Sequence, residues 1–331
     1  MKRQLKEWMF LIRSELLIPT SQSVKAQIPG DLETRLLTIV EASRVFANEP
    51  MHRHTTFRIG GPADYLVLPA SAAEVVALVK LAREKGVPIT ILGNGSNVLV
   101  LDGGIRGLVL KFGAAMSSIA SKGSTIIAGA GALLSEIARF AAEKYLTGFE
   151  FAVGIPGSIG GAVYMNAGAY ESEMSSVVKA AVGVTPDGTV RRFGRDALEF
   201  GYRHSVFQDN GCIICEIEIE LMPSDPETIK RKMEEYTALR LLKQPVDLPS
   251  AGSTFKRPPG RFAGTLIEQA GLKGLSVGGA KVSEKHAGFI VNVGDATAKD
   301  VLALIQEVQR RVFERFGVLL QPEVRVLGEP K

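Results

Sequence analysis

Four parts of the chain carry residue types that could act on a ligand. Gly93-Asn94-Gly95-Ser96-Asn97 directly follows an apolar run, Val87–Leu92. Glycines after a strand let backbone N–H groups converge on an anion, and Ser and Asn add side-chain donors. No Gly-Lys-Ser/Thr follows, so the segment is not a P-loop. Val98-Leu99-Val100 continues as strand rather than opening the long helix of a dinucleotide fingerprint. A phosphate cradle and a plain tight turn both fit. Gly154-Ile155-Pro156-Gly157-Ser158-Ile159-Gly160-Gly161-Ala162 places four glycines within eight residues. At about 1 kcal/mol each against Ala, they argue against a stable helix interior. They suit backbone packed on a flat or phosphate-bearing ligand, and equally a tightly packed crossover. His54-Thr55-Thr56-Phe57-Arg58-Ile59-Gly60-Gly61 groups hydroxyls, a cation and two glycines, a weak signal by itself. The fourth set is scattered: Tyr202-Arg203, Ser253 and Glu323. An Arg, a hydroxyl and a carboxylate can together bind a carboxylate and move one proton. Spacing does not show that they meet, and solvated side chains are the plainer reading.

Other chemistries find little support. Cys212 and Cys215 form one CxxC inside an alternating, strand-like run, with no second pair to complete a zinc site. They read as strand cysteines. His52, His54, His204 and His286 show no metal-protease spacing, and no G-x-S-x-G elbow marks Ser253 as a hydrolase nucleophile. No metal is expected. The formal net charge of +4 has no long block of one sign, which is too mild for nucleic acid but suits a small anionic ligand. An excess of glycine, 35 of 331 residues, fits tight turns or backbone close to a ligand. No stretch is apolar enough to span a membrane. The apolar run near the N-terminus, Trp8–Ile12, is broken by Arg13 and Glu15, too short for a signal peptide. With two cysteines, a cytoplasmic location is expected.

Length allows two or three domains. Residues 1–50 read as helical, with Leu36, Leu37 and Val40 at helical spacing. Strands are expected at Asp64–Pro69, Val87–Leu92, Val98–Leu101, Leu108–Lys111, Ala115–Ser121 and Thr125–Ala128, with helices at Ala72–Lys85 and Leu133–Lys144. A hairpin turning at Pro186-Asp187-Gly188 joins Val177–Thr185 to Thr189–Phe193. Cys212–Leu221 is a strand and Pro226–Leu242 a charged helix. A Pro-rich loop after Pro245 marks a boundary. Beyond it come a helix (Thr265–Ala270), a strand (Gly288–Asn292), a long helix (Ala298–Phe316) and short strands at Val318–Leu320 and Val324–Leu327.

Taken together, seven strings resemble the UDP-N-acetylenolpyruvoylglucosamine reductase family of flavoenzymes. They are HTTFRIGGPAD (54–64), ILGNGSNVLV (91–100), GFEFAVGIPGSIGGAVYMNAGAY (148–170), FGYRHSVF (200–207), SAGSTFKRP (250–258), GGAKVSEKHAGFIVN (278–292) and QPEVRVLG (321–328). They run in family order from about residue 45 to 328. The resemblance implies an α+β chain: a two-part FAD-binding region of the vanillyl-alcohol-oxidase-like (PCMH-type) superfamily, then a small substrate-binding domain. The divisions implied are a helical extension (1–45), two FAD-binding subdomains (46–112 and 113–243) and a C-terminal domain (244–331). FAD and NADPH are the implied cofactors. The FAD site carries over as Thr56, Arg58, Ile59, Gly60, Gly93, Asn94, Gly95, Ser96, Asn97, Gly154, Ile155, Pro156, Gly157, Ser158, Gly160, Gly161 and Ala162.

By the same resemblance, a hydride reaches the methylene carbon of an enolpyruvyl UDP-sugar in peptidoglycan precursor synthesis. Arg203 and Glu323 stabilise the charge that develops, and Ser253 supplies a proton. Tyr202, Lys243, Arg257 and His286 face the substrate, Lys243 as a point charge for the diphosphate. Arg257 departs from the family, where many relatives have Asn. Ser253 and Glu323 are only 70 residues apart and Tyr236 is the last tyrosine, so the chain is similar to the shorter type that lacks a capping loop. Two other readings compete: a different flavoprotein oxidase of the same FAD-binding superfamily, and a nucleotide-binding regulatory protein.

Overall fold

The structure is a computed structural model and describes residues 30–331. The expected helix at the extreme N-terminus falls largely outside the described residues. Within them, Leu32–Ile39 is helical and buries Leu32 and Leu36, four residues apart on one face.

The first sheet has the order Val45–Pro50, Pro62–Val67, Ile105–Lys111, Ile89–Leu92. The first pair is antiparallel and the other two are parallel. Helix Ala72–Lys85 covers one face. Ser71 caps it by accepting from the Glu74 N–H, and Gly86 ends it in a left-handed conformation. The second sheet is antiparallel, in the order Val190–Gly194, Val178–Val184, Ile213–Glu220, Thr125–Gly129, Ile119–Lys122. The first sheet and the second contribute to one continuous apolar core.

The third sheet is built from Ser250–Ser253, Phe289–Asn292, Ala280–Val282 and Ser276–Val277. Helix Ala298–Phe316 packs on it through Val301, Leu304, Ile305, Val308 and Val312, one stripe at helical spacing. Its N-terminus is satisfied twice over. Thr297 and Asp300 form a reciprocal capping box. Asp102, distant in sequence but adjacent in space, accepts from the N–H groups of Ala298 (2.9 Å) and Lys299 (3.1 Å). The core beneath this helix also takes in Phe57, Ile59, Leu99 and Leu101. The closing strand, Arg325–Leu327, pairs in parallel with Val98–Val100. The C-terminal part is therefore fixed directly onto the segments that flank Gly93–Asn97.

Several expectations are corrected. Val45–Pro50 is an edge strand, not helix, because pairing with Pro62–Val67 overrides local pattern. The expected strand Ala115–Ser121 splits into a 3₁₀ turn, Ala114–Met116, and the strand Ile119–Lys122. Val318–Leu320 is not strand: Leu320 is a core residue whose carbonyl accepts from Gln309 Nε2 at 2.8 Å. Ser250–Ser253, expected as loop, is a strand. Gly160 and Gly161 lie within a six-residue helix, Ile159–Tyr164. Close packing explains it, since a Cβ on Gly160 would stand 2.9 Å from that of Ala130. Among the described residues no helix is long and apolar enough to cross a membrane.

Candidate active site

The three glycine-bearing segments meet. The Thr56 N–H donates to the Gly95 carbonyl (3.1 Å), and the Thr56 hydroxyl to the Ser250 carbonyl (2.6 Å). Asn94 Nδ2 donates to the Pro156 carbonyl (2.7 Å), which ties the Gly93–Asn97 turn to the Gly154–Ala162 segment. Side chains are excluded where these segments cross. A Cβ on Gly93 would stand 2.3 Å from Ser158 Oγ. Gly95 has φ +67°, and its Cβ would meet the His54 carbonyl at 2.3 Å. Only glycine satisfies both the angle and the space.

Around this crossing, Gly60 packs on Val100 and Ile59 is buried beside Leu99. Arg58 is exposed with φ +55°. Gly154 abuts the Arg240 side chain, Ile155 is partly buried, Gly161 faces Ser158 Oγ, and Ala162 is buried. The result is a cradle of backbone rather than side chains. Its donors and close approach fit a dinucleotide diphosphate.

The cradle joins a second feature. Asn97 Nδ2 donates to the Glu323 carbonyl (3.3 Å), and Arg325 N–H to the Asn97 carbonyl (3.0 Å). Glu323 thereby borders a cavity of about 620 Å³ that Tyr202, Arg203, Ser253, Arg257 and His286 also line. A backbone ladder brings the distant members together. Glu323 N–H donates to the Thr254 carbonyl and Lys256 N–H to the Gln321 carbonyl, both at 2.8 Å. Ser253 and Glu323 are thus set by adjoining, hydrogen-bonded segments.

Arg203 reaches Glu323 from another direction, its Nε donating to Oε1 at 2.6 Å. It sits in a tight turn, where Gly201 and His204 exchange backbone hydrogen bonds (both 3.1 Å), and adopts φ +56°. Such a conformation costs about 1–3 kcal/mol in a residue with a Cβ. Gln208 holds the turn through the Arg203 carbonyl (2.9 Å). Burial pushes the Glu323 carboxyl above the usual carboxylate range, outweighing the charge and hydrogen bond of Arg203 and the charge of Lys256. Burial likewise lowers the pKa of His286, whose Nδ1 accepts from Gly288 N–H (3.1 Å), leaving its proton on Nε2. Tyr202 accepts from the Arg257 N–H (3.0 Å), and the Arg257 guanidinium covers Phe262.

One expected contact is placed elsewhere. Lys243 ends the helix Pro226–Lys243 and is not among the lining residues. The ammonium in the wall is that of Lys285, which also donates to the Leu241 carbonyl (2.6 Å). Sequence reasoning passed over Lys285, although it precedes His286, and Tyr170, although it closes a quoted string. Tyr170 lines the cavity, stacks on Tyr236 (4.1 Å between centroids) and donates to the Tyr236 carbonyl (2.8 Å). Cys212 and Cys215 are both buried, and burial pushes the Cys215 thiol up to about 12.

Residues 63–194 match the model of an FAD binding domain, and residues 244–327 that of the UDP-N-acetylenolpyruvoylglucosamine reductase C-terminal domain. The chain is 50% identical to a UDP-N-acetylenolpyruvoylglucosamine reductase of Caldanaerobacter subterraneus subsp. tengcongensis, over 90% of this chain and 98% of that protein. It is 51% identical to the reductase of the same name from Clostridium perfringens, over 86% and 93%. Among solved structures it resembles the UDP-N-acetylenolpyruvylglucosamine reductase of Thermus caldophilus, with a TM-score of 0.74 and 38% identity, covering 86% of this chain and 98% of that one. The backbone cradle, the two domain models and relatives matched over nearly their whole length agree: the chain belongs to the UDP-N-acetylenolpyruvoylglucosamine reductase family and is an FAD-dependent oxidoreductase.

Proposed function

We propose that the chain uses NADPH to reduce the enolpyruvyl group of UDP-N-acetylglucosamine enolpyruvate to the lactyl ether, UDP-N-acetylmuramate. The reaction serves peptidoglycan precursor synthesis and takes place in the cytoplasm. One observation carries this reading: Arg203, Glu323 and Ser253 line a single cavity that adjoins the cradle. In the proposed division, residues 46–112 and 113–243 hold FAD, residues 244–331 present the substrate, and residues 1–45 stand outside.

FAD, when bound, supplies the hydride chemistry. The chain's own residues do the rest. The Gly93–Asn97 turn, Thr56 to Gly60 and Gly154 to Ala162 hold and orient the cofactor through backbone. A hydride arriving at the substrate's methylene carbon leaves negative charge on the neighbouring carbon and its carboxylate. Arg203 offers a guanidinium to that charge. Glu323 orients that guanidinium through Oε1 (2.6 Å) and, when protonated, offers an O–H of its own, a form that burial favours. Fixed donors aimed at developing charge are usually the largest catalytic contribution. Ser253 Oγ has no hydrogen-bond partner among the described residues and faces the cavity, free to deliver a proton to the carbon that carries the ether oxygen. One hydride and one proton complete the reduction. Tyr202, Arg257 and His286 position the substrate, and the Lys285 ammonium in the cavity wall is available to its anionic groups.

The test is isotopic. Product formed in heavy water should carry deuterium at the carbon that bears the ether oxygen, and no product should form without NADPH. Product without that deuterium, product formed without NADPH, or consumption of oxygen with a hydroxy-acid substrate, would refute the reading.

A further inference from the structure

We propose that Lys111 is a further cofactor-binding residue, an ammonium placed against the diphosphate of FAD and aimed by His54 and Glu49. The inference rests on the assignment of the glycine cradle to FAD. Lys111 ends the strand Ile105–Lys111, and in the parallel register its partner is Leu92, the residue immediately before Gly93. The two strands therefore end side by side at the cradle. In open parallel sheets ligands bind at these carboxyl ends.

A chain of side chains sets the ammonium. Lys111 Nζ lies 3.1 Å from His54 Nδ1, and His54 Nε2 lies 2.9 Å from Glu49 Oε1. An ammonium only donates, so Nδ1 accepts and Nε2–H donates to the carboxylate. The imidazole is neutral, and burial lowers its pKa further. His54 is itself fixed to the cradle. Its carbonyl is the atom that a Cβ on Gly95 would strike, and two residues on, Thr56 bonds to the Gly95 carbonyl.

Among the described residues Lys111 lacks a counter-ion. Its ammonium has three N–H bonds and gives one to a neutral ring nitrogen. Among the described residues no carboxylate lies within ion-pair distance of it, and Glu49 is engaged by His54, with Arg53 at 3.9 Å. The ammonium is partly buried, and burial lowers its pKa. A desolvated cation without a partner is costly. An anion in the cradle would relieve that cost. Lys111 is not among the residues lining the substrate cavity, so the phosphates it serves are the cofactor's rather than the substrate's.

The experiment titrates full-length apoprotein with FAD, and separately with ADP, for the parent, Lys111→Met and Lys111→Arg. Loss of a charge-assisted contact should weaken both ligands by about 10- to 100-fold in Lys111→Met, with Lys111→Arg recovering most of it and apoprotein melting unchanged. Binding within twofold of the parent, or an Arg variant as weak as Met, would overturn the proposal. Should Lys111→Met fail to fold, amine acetylation of the parent decides, mapped by mass spectrometry. Protection of Lys111 by both FAD and ADP supports the site, and equal labelling with and without them overturns it. A parent that takes up no FAD overturns the cofactor assignment as well, which keeps the two failures distinct.

Discussion

Ser253→Ala should separate the two halves of the catalytic cycle. Ser253 ends the strand Ser250–Ser253, opens onto the cavity, and its hydroxyl bonds to no other described residue. Removing that oxygen strands no partner and leaves no buried void, so stability should stay within about 0.5 kcal/mol of the parent. The whole effect then falls on chemistry. A positioned general acid contributes about 10²–10⁴-fold. That is about 2.7–5.4 kcal/mol of barrier at 1.36 kcal/mol per decade. Reduction of the enzyme by NADPH protonates no carbon and should run near the parental rate. Reoxidation by the enolpyruvyl substrate must end in a protonated carbon and should slow by the full factor. Stopped-flow flavin absorbance measures each half separately. Equal slowing of both would mean that Ser253 shapes the flavin site, and no slowing of the second would mean that water or another group delivers the proton.

Gly95→Asp places a side chain 2.3 Å from the His54 carbonyl and a negative charge in the cradle proposed for the diphosphate, so the protein should purify without FAD. A folded variant with full flavin occupancy refutes the cradle. Glu323→Gln should lose activity yet hold its melting temperature better as pH rises. The raised carboxyl of Glu323 contributes stability that is complete below its ordinary pKa of 4.5 and lost as pH climbs through the folded value, whereas Gln has no such titration. Parallel curves of melting temperature against pH above that point would contradict the assignment of its raised pKa. Asp102→Ala removes both carboxylate hydrogen bonds from the start of helix Ala298–Phe316 and should cost about 1–2 kcal/mol by urea unfolding. An unchanged midpoint would show that the capping box alone suffices.

Local chemistry made much of the scaffold legible. Ala72–Lys85 announces itself by Ser71, an amphipathic stripe and Gly86, and Ala298–Phe316 by Thr297 and Gly317, because these helices are closed by their own flanking residues. The alternation of Ile213–Glu220 likewise matches a sheet with one buried face. Elements fixed by distant partners were not legible. Val45–Pro50 is strand only because Pro62–Val67 lies beside it, and Ser250–Ser253 only because Phe289–Asn292 does. The glycine motifs could be read as turns, but their convergence depends on bonds such as Asn94 to Pro156, 62 residues apart. Arg203 and Glu323 are 120 residues apart, and residue spacing alone carries no trace of their 2.6 Å contact. The resemblance to a family nominated them, and the turn at Gly201–His204 with the ladder at 254–256 and 321–323 gives the physical reason they meet. Lys285 was overlooked because a surface-type lysine becomes a wall residue only once the third sheet is formed.

The central claim is that a flavin held in the glycine cradle passes reducing equivalents from NADPH to an enolpyruvyl UDP-sugar in the adjoining cavity. The direct measurement is an anaerobic absorbance experiment on the purified protein. NADPH should bleach the oxidised flavin bands, and adding UDP-N-acetylglucosamine enolpyruvate without oxygen should restore them while UDP-N-acetylmuramate forms in equal amount. A protein without flavin bands, or a reduced flavin that only oxygen restores, would contradict the account.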